Sequence, residues 1–229
     1  MVAELPPLRY LTADDVRAAM PPVDERLALA QRTMTALATP GAAELPPKIG
    51  IHPRPEGSFA HAMPAHLRGA EARRDLVGMK WVAGFASNSA LGIPAVSALV
   101  ILNDPATGVP VALLDGAPIT AERTAAVSGV AIGRFARPRD PGGPIVAVVG
   151  AGVQGRSHLA VVGHLLPGAR LHIADVHAAR ADALVEVARE TAGIARATRA
   201  ASPREAIEGA DVVITAASFT TPDRRQAMT

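Results

Sequence analysis

Three glycines at fixed spacing and one aspartate are the residues of this chain whose types and positions most clearly indicate a functional site. Gly150, Gly152 and Gly155 directly follow an apolar run, residues 144–149, and open a segment of helical pattern. Asp175 ends a second apolar run, twenty residues beyond Gly155. Such a Gly-x-Gly-x-x-Gly turn predicts a dinucleotide site, because bare backbone admits a pyrophosphate and a helix N-terminus binds it. The alternative is a glycine-rich strand–helix turn that binds no ligand.

The carboxylate of Asp175 predicts a preference for NAD over NADP. It would accept hydrogen bonds from the ribose hydroxyls and repel a 2′-phosphate. His177 and Arg180 follow closely and would weaken that repulsion. The alternative is that Asp175 only caps the next predicted helix. The motif as a whole assigns cofactor contacts to Gly150, Gly152, Val153, Gln154, Gly155 and Asp175.

Strands and helices alternate around this motif. The pattern predicts strands at 145–149, 170–174, 195–198 and 210–215, and helices at 154–166, 178–192 and 203–208. Regular alternation of this kind predicts the α/β class, here a Rossmann doubly wound nucleotide domain. Residues 144–229 are too few for six strands and their helices, so we expect this domain to be incomplete at its carboxy-terminal end.

The preceding part of the chain predicts an α+β domain. Thr12 is the expected cap of the first of two short helices, which are separated by Pro21-Pro22. Thr120 is the expected cap of a long helix that ends at Phe135. The Pro- and Gly-rich residues 136–144 indicate the domain boundary, which gives domains at 1–138 and 144–229. The remaining pattern predicts an extended segment at 43–53 and strands at 58–63, 77–82, 93–102 and 109–114.

Composition narrows the class of protein. The 229 residues carry a formal net charge of +2 and no cysteine, and aromatic residues make up 3% of the chain, which disfavours nucleic acid as a partner. The sequence contains no membrane-spanning run and no secretory leader pattern, which predicts a soluble cytoplasmic protein with no membrane partner. His52, His61 and His66 have no carboxylate at ligand spacing, so no metal site is predicted. His158 and His164 fall on the helix after the glycines and are expected at the surface.

Six blocks of sequence, taken together, resemble the ornithine cyclodeaminase/mu-crystallin family. The resemblance implies a first domain, 1–138, that binds substrate and forms a homodimer, and a Rossmann domain, 144–229, that binds NAD, with NADP possible. It also implies that an α-amino acid or its imine is held against the nicotinamide. The blocks are Pro46-Pro47-Lys48, His61-Ala62-Met63-Pro64-Ala65, Gly78-Met79-Lys80-Trp81-Val82, the run from Asp115 to Ala126, Gly150-Ala151-Gly152-Val153-Gln154-Gly155 and Ala210-Asp211-Val212-Val213-Ile214-Thr215.

The resemblance implies two catalytic residues, Lys80 and Arg123. Lys80 matches a strand lysine near the substrate, where an ammonium could hold a carboxylate and move a proton at the amine or imine. Judged without the family, a lysine between Met79 and Trp81 is more typical of an edge residue whose amine reaches solvent. Arg123 matches a helix-start arginine whose guanidinium could bind the substrate carboxylate through two hydrogen bonds. The alternative for Arg123 is a solvent-exposed face, since pairing with the adjacent Glu122 is poor on a helix.

Four more positions complete the set of site residues that the resemblance implies. Lys48 stands where many relatives carry an arginine that also reaches the substrate carboxylate. Met63 would form an apolar wall beside the substrate, and core packing alone is its alternative. The substrate-binding residues are therefore Lys48, Met63, Lys80 and Arg123. Thr124 and Thr215 join the cofactor-binding residues.

The resemblance implies an ornithine cyclodeaminase-like activity, which converts L-ornithine to L-proline and ammonia by internal hydride transfer. The first alternative is a reductase of cyclic ketimines such as pyrroline- or piperideine-2-carboxylate, or an amino-acid dehydrogenase. The second is an inactive, mu-crystallin-like binding protein. Three departures from the ornithine-specific pattern keep these open: Lys48 in place of arginine, residues 84–88 without a His-Pro, and Ala95 in place of threonine.

Overall fold

The computed structural model describes residues 5–138 and 142–217 of the chain. Contacts between elements divide it into two units. The first contains the residues up to Pro21 and Gln31–Thr120, and the second contains Pro22–Ala30 and the chain from Ala121 onwards. Each unit is therefore made of two separate stretches of chain. Two of the crossings between units fall inside helices, one within Val23–Ala38 and the other within Gly116–Phe135.

The elements follow one another in an order that places a mixed sheet before a parallel one. In chain order they are β1 (Arg9–Leu11), α1 (Ala13–Ala18), α2 (Val23–Ala38), β2 (Ala43–Glu44), β3 (Ile49–Ile51), β4 (Phe59–Leu67), β5 (Leu76–Gly84), β6 (Val96–Asn103), β7 (Pro110–Asp115), α3 (Gly116–Phe135), β8 (Ile145–Val149), α4 (Val153–Leu165), β9 (Ala169–Ala174), α5 (Ala178–Glu190), β10 (Ile194–Arg199), α6 (Pro203–Ile207) and β11 (Val212–Thr215).

The sheet of the first unit has seven strands in the order β1-β7-β6-β5-β4-β2, with β3 also paired to β4. All pairs are antiparallel except β1 with β7. Strand β4 continues to Leu67, beyond its predicted end at Met63, because both β5 and β2 pair with its last residues. Pro64 lies between the β4 residues that pair with β3 and those that pair with β2. No strand pairs with Pro64 on that side, so the N–H that proline lacks leaves no strand-pairing hydrogen bond unmade there.

The two faces of this sheet carry different side chains. Residues paired directly across antiparallel strands share a face, and neighbours along a strand alternate between faces. Trp81 pairs with Ala62 and Leu99, and Ala62 pairs with Ile49, so these four lie on one face, which we call the Trp81 face. The opposite face, called the Lys80 face, carries Lys80 and its direct partners on β4 and β6, Met63 and Val100.

The second unit is built on a parallel sheet in the order β10-β9-β8-β11. Val146 and Val148 of β8 are fully buried in an apolar core that includes residues of α4 and α5. The alternate residue Ala147 belongs to a small alanine cluster with Ala206 of α6. Helices therefore cover both faces of the sheet, which is the doubly wound arrangement. The predicted α/β class, with a Rossmann fold after an α+β domain, is confirmed.

Two helix starts illustrate local capping in this chain. Thr12 caps α1 as predicted, in a capping box with Asp15. Thr120 does not cap α3, which begins at Gly116 and contains Thr120 in its second turn. The Asp115 carboxylate accepts a hydrogen bond of 2.8 Å from the N–H of Ala117 and so caps the helix five residues before the predicted cap, Thr120. Pro118 is compatible with this earlier start because the first turn needs no N–H partner.

Within the described ranges, no helix combines the length and apolar character needed to cross a membrane.

Candidate functional site

The glycine-rich turn begins where strand β8 ends. Gly150 has a φ of +107°, in the region that favours glycine. A Cβ atom there would also lie 2.5 Å from the carbonyl carbon of Ala216, which follows the neighbouring strand β11. The N–H of Gly150 donates to the carbonyl of Ala174 at 2.8 Å. The turn is thus held between the carboxyl ends of β9 and β11, the edge at which doubly wound sheets bind their ligands.

The other two glycines have opposite surroundings. Gly152 is the N-cap of α4, and a Cβ atom added to it would meet no other atom within 4 Å. Gly155 lies in the first turn of α4, where an added Cβ would overlap the carbonyl oxygen of Gly150. Gly155 is therefore needed for close packing of helix on strand, whereas Gly152 leaves open space at the helix N-terminus. Val153, the first residue of α4, is 71% exposed beside that space.

Asp175 connects the end of β9 to the glycine-rich turn. Its Oδ2 accepts a hydrogen bond of 2.7 Å from the N–H of Ala151, and its Oδ1 accepts one of 2.8 Å from the N–H of His177. His177, and not Asp175, is the N-cap residue of α5. Capping alone therefore does not describe Asp175, because one of its oxygens holds the central residue of the glycine-rich turn.

A cleft of about 370 Å³ lies among α3, α4 and β11 of the second unit. Small-molecule sites typically have volumes of about 300–1,000 Å³. Three predicted cofactor-binding residues, Thr124, Gln154 and Thr215, line this cleft. The Oε1 atom of Gln154 is buried and has no hydrogen-bond partner among the described residues. The other lining residues are Ser128, Ala131, Ile132, His158, Val212, Val213, Ile214 and Ala216.

The surface position expected for His158 is wrong. His158 is only 4% exposed, because α3 covers this face of α4. Its Nδ1 lies 2.6 Å from the carbonyl oxygen of Gln154, and its Nε2 lies 2.9 Å from the Oγ of Ser128 on α3. Burial lowers the pKa of His158 below its ordinary value. His164, on the same helix, is exposed as predicted.

The second unit also contains an ion pair that the sequence pattern did not indicate. Arg26 of α2 pairs with Glu122 of α3, and both side chains are largely buried. Burial lowers the pKa of Arg26. Glu122 is thus directed to a residue of another helix and not to its neighbour Arg123. The two partners lie 96 positions apart, so no local signal could have found them.

The first unit brings three predicted substrate-binding residues onto one line across its sheet. Met63 and Lys80 are direct partners in the β4–β5 pair. Lys48 directly precedes β3, and extending the β3–β4 register by one residue places it opposite Met63. Lys48 is exposed, whereas Met63 and Lys80 are half-buried. The two lysines therefore flank a methionine on the Lys80 face.

Arg123 lies in the second unit, where it is exposed on α3 next to Thr124. Its meeting with Lys80 at one substrate stays a prediction. On α3 it is one residue from the lining of the cleft, so the helix that carries a proposed cofactor contact also carries the proposed carboxylate ligand.

A family model matches residues 15–228 and is described as the ornithine cyclodeaminase/mu-crystallin family. The chain belongs to this family. The resemblance in the six sequence blocks is thereby confirmed.

Several proteins of known name are similar to this family member. Nodulation efficiency protein NfeD of Rhizobium meliloti is 39% identical over 212 residues, which is 93% of this chain and 62% of that protein. The Δ1-pyrroline-2-carboxylate reductase of Thermococcus litoralis, solved with NADH and L-proline, superposes with a TM-score of 0.80 at 31% identity over 90% of this chain and 61% of that one. An archaeal alanine dehydrogenase dimer with bound NAD gives a TM-score of 0.78 at 28% identity over 91% and 60%. The chain thus spans about 60% of the length of these relatives.

Two of the departures from the family's ornithine-specific pattern lie together in the structure. Gly84 ends β5, and Ala95 directly precedes β6. The N–H of Phe85 donates to the carbonyl of Ala95 at 2.7 Å, and the amide of Asn88 donates to the carbonyl of Pro94 at 3.0 Å. The residues that the sequence analysis gives as departures, 84–88 and Ala95, therefore lie at one contiguous end of the β5–β6 hairpin.

Proposed function

We propose that this chain binds NAD in its second unit and an α-amino acid or cyclic imine in its first, as part of an enzyme that transfers a hydride at the substrate Cα. The observation that carries the proposal is the glycine-rich turn: open space at Gly152 directly before the N-terminus of α4, with the Asp175 carboxylate fixed beside it. An anionic pyrophosphate suits such a helix N-terminus. The reductase and dehydrogenase relatives with NADH and NAD support the same cofactor.

Different residues are proposed to contact different parts of the NAD molecule. Gly150, Gly152, Val153 and Gly155 would admit the pyrophosphate, and Asp175 would accept hydrogen bonds from the adenosine ribose. Gln154, Thr124 and Thr215 would contact the part of NAD that enters the cleft. The buried Oε1 of Gln154, which has no partner in the described chain, suits a hydrogen-bond donor of the cofactor. NAD supplies the hydride acceptor, and NADH the donor, for the redox step.

The substrate is proposed to lie on the Lys80 face. Lys48 and Lys80 would attract its carboxylate, and Met63 between them would contact its apolar carbons. Lys80 would hold or move a proton at the substrate nitrogen, because its ammonium group carries three N–H donors on a flexible side chain. Arg123 would bind the carboxylate through its planar guanidinium and orient the Cα–H bond.

Net reduction of a cyclic imine, or the reverse oxidation of an amino acid, is the activity we propose first. The departures at Lys48, residues 84–88 and Ala95 favour this activity over ornithine cyclisation, and the pyrroline-2-carboxylate reductase similarity supports it. Cyclodeamination is the second candidate, since it contains the same hydride steps and gives the family its name. In that reaction the side-chain amine attacks the α-imine, ammonia leaves, and the hydride returns to the cyclic imine.

A cofactor-fluorescence panel tests the activity. NAD is offered with ornithine, lysine or alanine, and NADH or NADPH with pyrroline- or piperideine-2-carboxylate, and the amino-acid products are identified by mass. Net oxidation of reduced cofactor by a cyclic imine supports the reductase. Proline formed from ornithine with catalytic NAD supports the cyclodeaminase instead. If neither cofactor binds at millimolar concentration, the proposed function fails for this chain.

Replacing Asp175 with alanine is expected to weaken NAD binding about 10- to 100-fold, because hydrogen bonds to a charged group contribute about 1.5–3 kcal/mol. NADP affinity should fall less or rise, since the repulsion of a 2′-phosphate is removed. Calorimetric titration with both cofactors measures the two affinities. Asp182→Ala is the matched control, because Asp182 is an exposed carboxylate paired with Arg199 on the surface. Unchanged NAD affinity in Asp175→Ala would remove Asp175 from the site.

The Trp81 face is proposed as the dimer interface of the first unit. Ile49, Ile51, Trp81 and Leu99 are 70%, 60%, 40% and 40% exposed in the single chain, an unusual apolar surface on a sheet. The similar alanine dehydrogenase is a dimer, which supports a homodimer here. Trp81→Lys is expected to give a monomer by sedimentation at micromolar concentration. Val176→Lys, at an exposed valine of the second unit, should leave the dimer intact. A dimeric Trp81→Lys protein would place the interface elsewhere.

A further inference from the structure

A hydrogen-bonded serine–histidine pair joins helices α3 and α4 inside the second unit. The carbonyl oxygen of Gln154 can only accept a hydrogen bond, so the His158 Nδ1 that faces it at 2.6 Å carries the hydrogen. In the neutral imidazole the Nε2 atom is then an acceptor, and the hydroxyl of Ser128 donates to it at 2.9 Å. Burial lowers the pKa of His158 and so favours this neutral form.

This pair lies one helical turn from two proposed cofactor contacts. Ser128 follows Thr124 by four residues on α3, and His158 follows Gln154 by four residues on α4. Residues four apart lie above one another on the same helix face. All four side chains accordingly line the same cleft. The Ser128–His158 hydrogen bond therefore ties the two helices at the level directly next to Thr124 and Gln154.

We propose that Ser128 and His158 are positioning residues, which fix the separation of Thr124 and Gln154 and so hold the cleft in the form that binds NAD. This inference rests on the proposed function. A directional hydrogen bond fixes the rotation and axial position of one helix against the other, whereas an apolar contact tolerates sliding. Small misplacements of binding groups cost large factors in ligand recognition. Because Arg123 is adjacent to Thr124, the same bond would also set the position of the proposed carboxylate ligand.

The test separates the hydrogen bond from simple packing. Ser128→Ala removes the donor, and the double variant Ser128→Ala/His158→Phe removes both polar groups while keeping a ring in the buried volume. Replacing both partners by apolar groups is often nearly neutral for stability. The double variant should therefore unfold at a urea midpoint close to that of the wild type, while both variants bind NAD about tenfold more weakly in calorimetric titration.

Two further variants serve as matched comparisons. Ser128→Thr keeps the hydroxyl and should retain NAD affinity within about twofold, a rescue that packing alone would not produce. Ser157→Ala removes another donor to the Gln154 carbonyl, the Ser157 Oγ at 3.0 Å, without touching α3. Its NAD affinity should equal that of the wild type.

The outcomes distinguish this inference from the proposed function. If the wild type binds NAD and the stable double variant binds it equally well, the positioning role is wrong and NAD binding stands. If Ser128→Thr weakens binding as much as Ser128→Ala, the hydroxyl is not the determinant and the inference also fails. If the folded wild type binds no NAD, the proposed function and the inference fall together.

Discussion

Replacing Gly152 with valine is expected to abolish NAD binding while leaving the protein folded. The backbone at Gly152 has φ −80° and ψ −163°, which any residue can adopt. A Cβ atom there would meet nothing within 4 Å, so a side chain attached at this position begins in open space. It would instead occupy the space before the N-terminus of α4 that the pyrophosphate is proposed to fill. We expect affinity to fall by at least about 100-fold, as when a steric block occupies a phosphate site.

Calorimetric titration with NAD and urea unfolding measure the two effects separately. The free energy of unfolding should change by no more than about 0.5 kcal/mol, as for an exposed substitution. Gly133→Ala is the control, since Gly133 is an exposed glycine of α3 whose added Cβ makes an ordinary contact of 3.8 Å with Leu165. If Gly152→Val binds NAD as the wild type does, the pyrophosphate lies elsewhere. If Gly152→Val fails to fold, the assignment of open space around this glycine is wrong.

Replacing Gly155 with alanine is expected to destabilise the fold by at least about 2 kcal/mol, the range of core overpacking. The added Cβ would overlap the carbonyl oxygen of Gly150, which cannot easily move. Gly150 itself is fixed by its positive φ and by its hydrogen bond to the carbonyl of Ala174. The same change in an unobstructed helix would stabilise by up to about 1 kcal/mol, so the sign of the effect tests the contact.

Urea unfolding of three alanine variants settles the comparison. Gly155→Ala should lower the unfolding midpoint, Gly152→Ala should change it little, and Gly133→Ala should raise it slightly. A Gly155→Ala protein as stable as the wild type would mean that α4 can move away from β8 at no cost. That result would remove the close packing assigned to the third glycine of the motif.

The parts of the fold that were predicted correctly are those that local pattern determines. The strands β8 and β9 and the glycine-rich turn follow from a short apolar run, three glycines and their spacing, all within one stretch of chain. The cap of α3 was predicted five residues late, at Thr120 and not at Asp115, because the sequence pattern assigns Asp115 to the end of the preceding strand. A strand residue that also caps the next helix gives no separate signal in the sequence.

The parts of the candidate site that were missed depend on distant partners. His158 was expected at the surface because a histidine among helical residues usually is, and its partner Ser128 lies 30 positions earlier. The Arg26–Glu122 pair joins segments 96 positions apart. The arrangement of Lys48, Met63 and Lys80 likewise became visible only through strand register, although their identities came from the family resemblance.

The first half of α2 belongs to the second unit, which determines how this unit can be expressed on its own. Leu27 packs over Gly129 of α3, where an added Cβ would lie 2.5 Å from it, and Arg26 neutralises Glu122. A fragment that starts at Ala121 would therefore expose an apolar groove at Gly129 and leave the Glu122 carboxylate without its cation. The second unit of this protein is not a contiguous segment, and during synthesis residues 22–30 are made 90 residues ahead of the part that begins at Ala121. Its boundaries for expression should start before Pro22 or join residues 22–30 to the chain from Ala121.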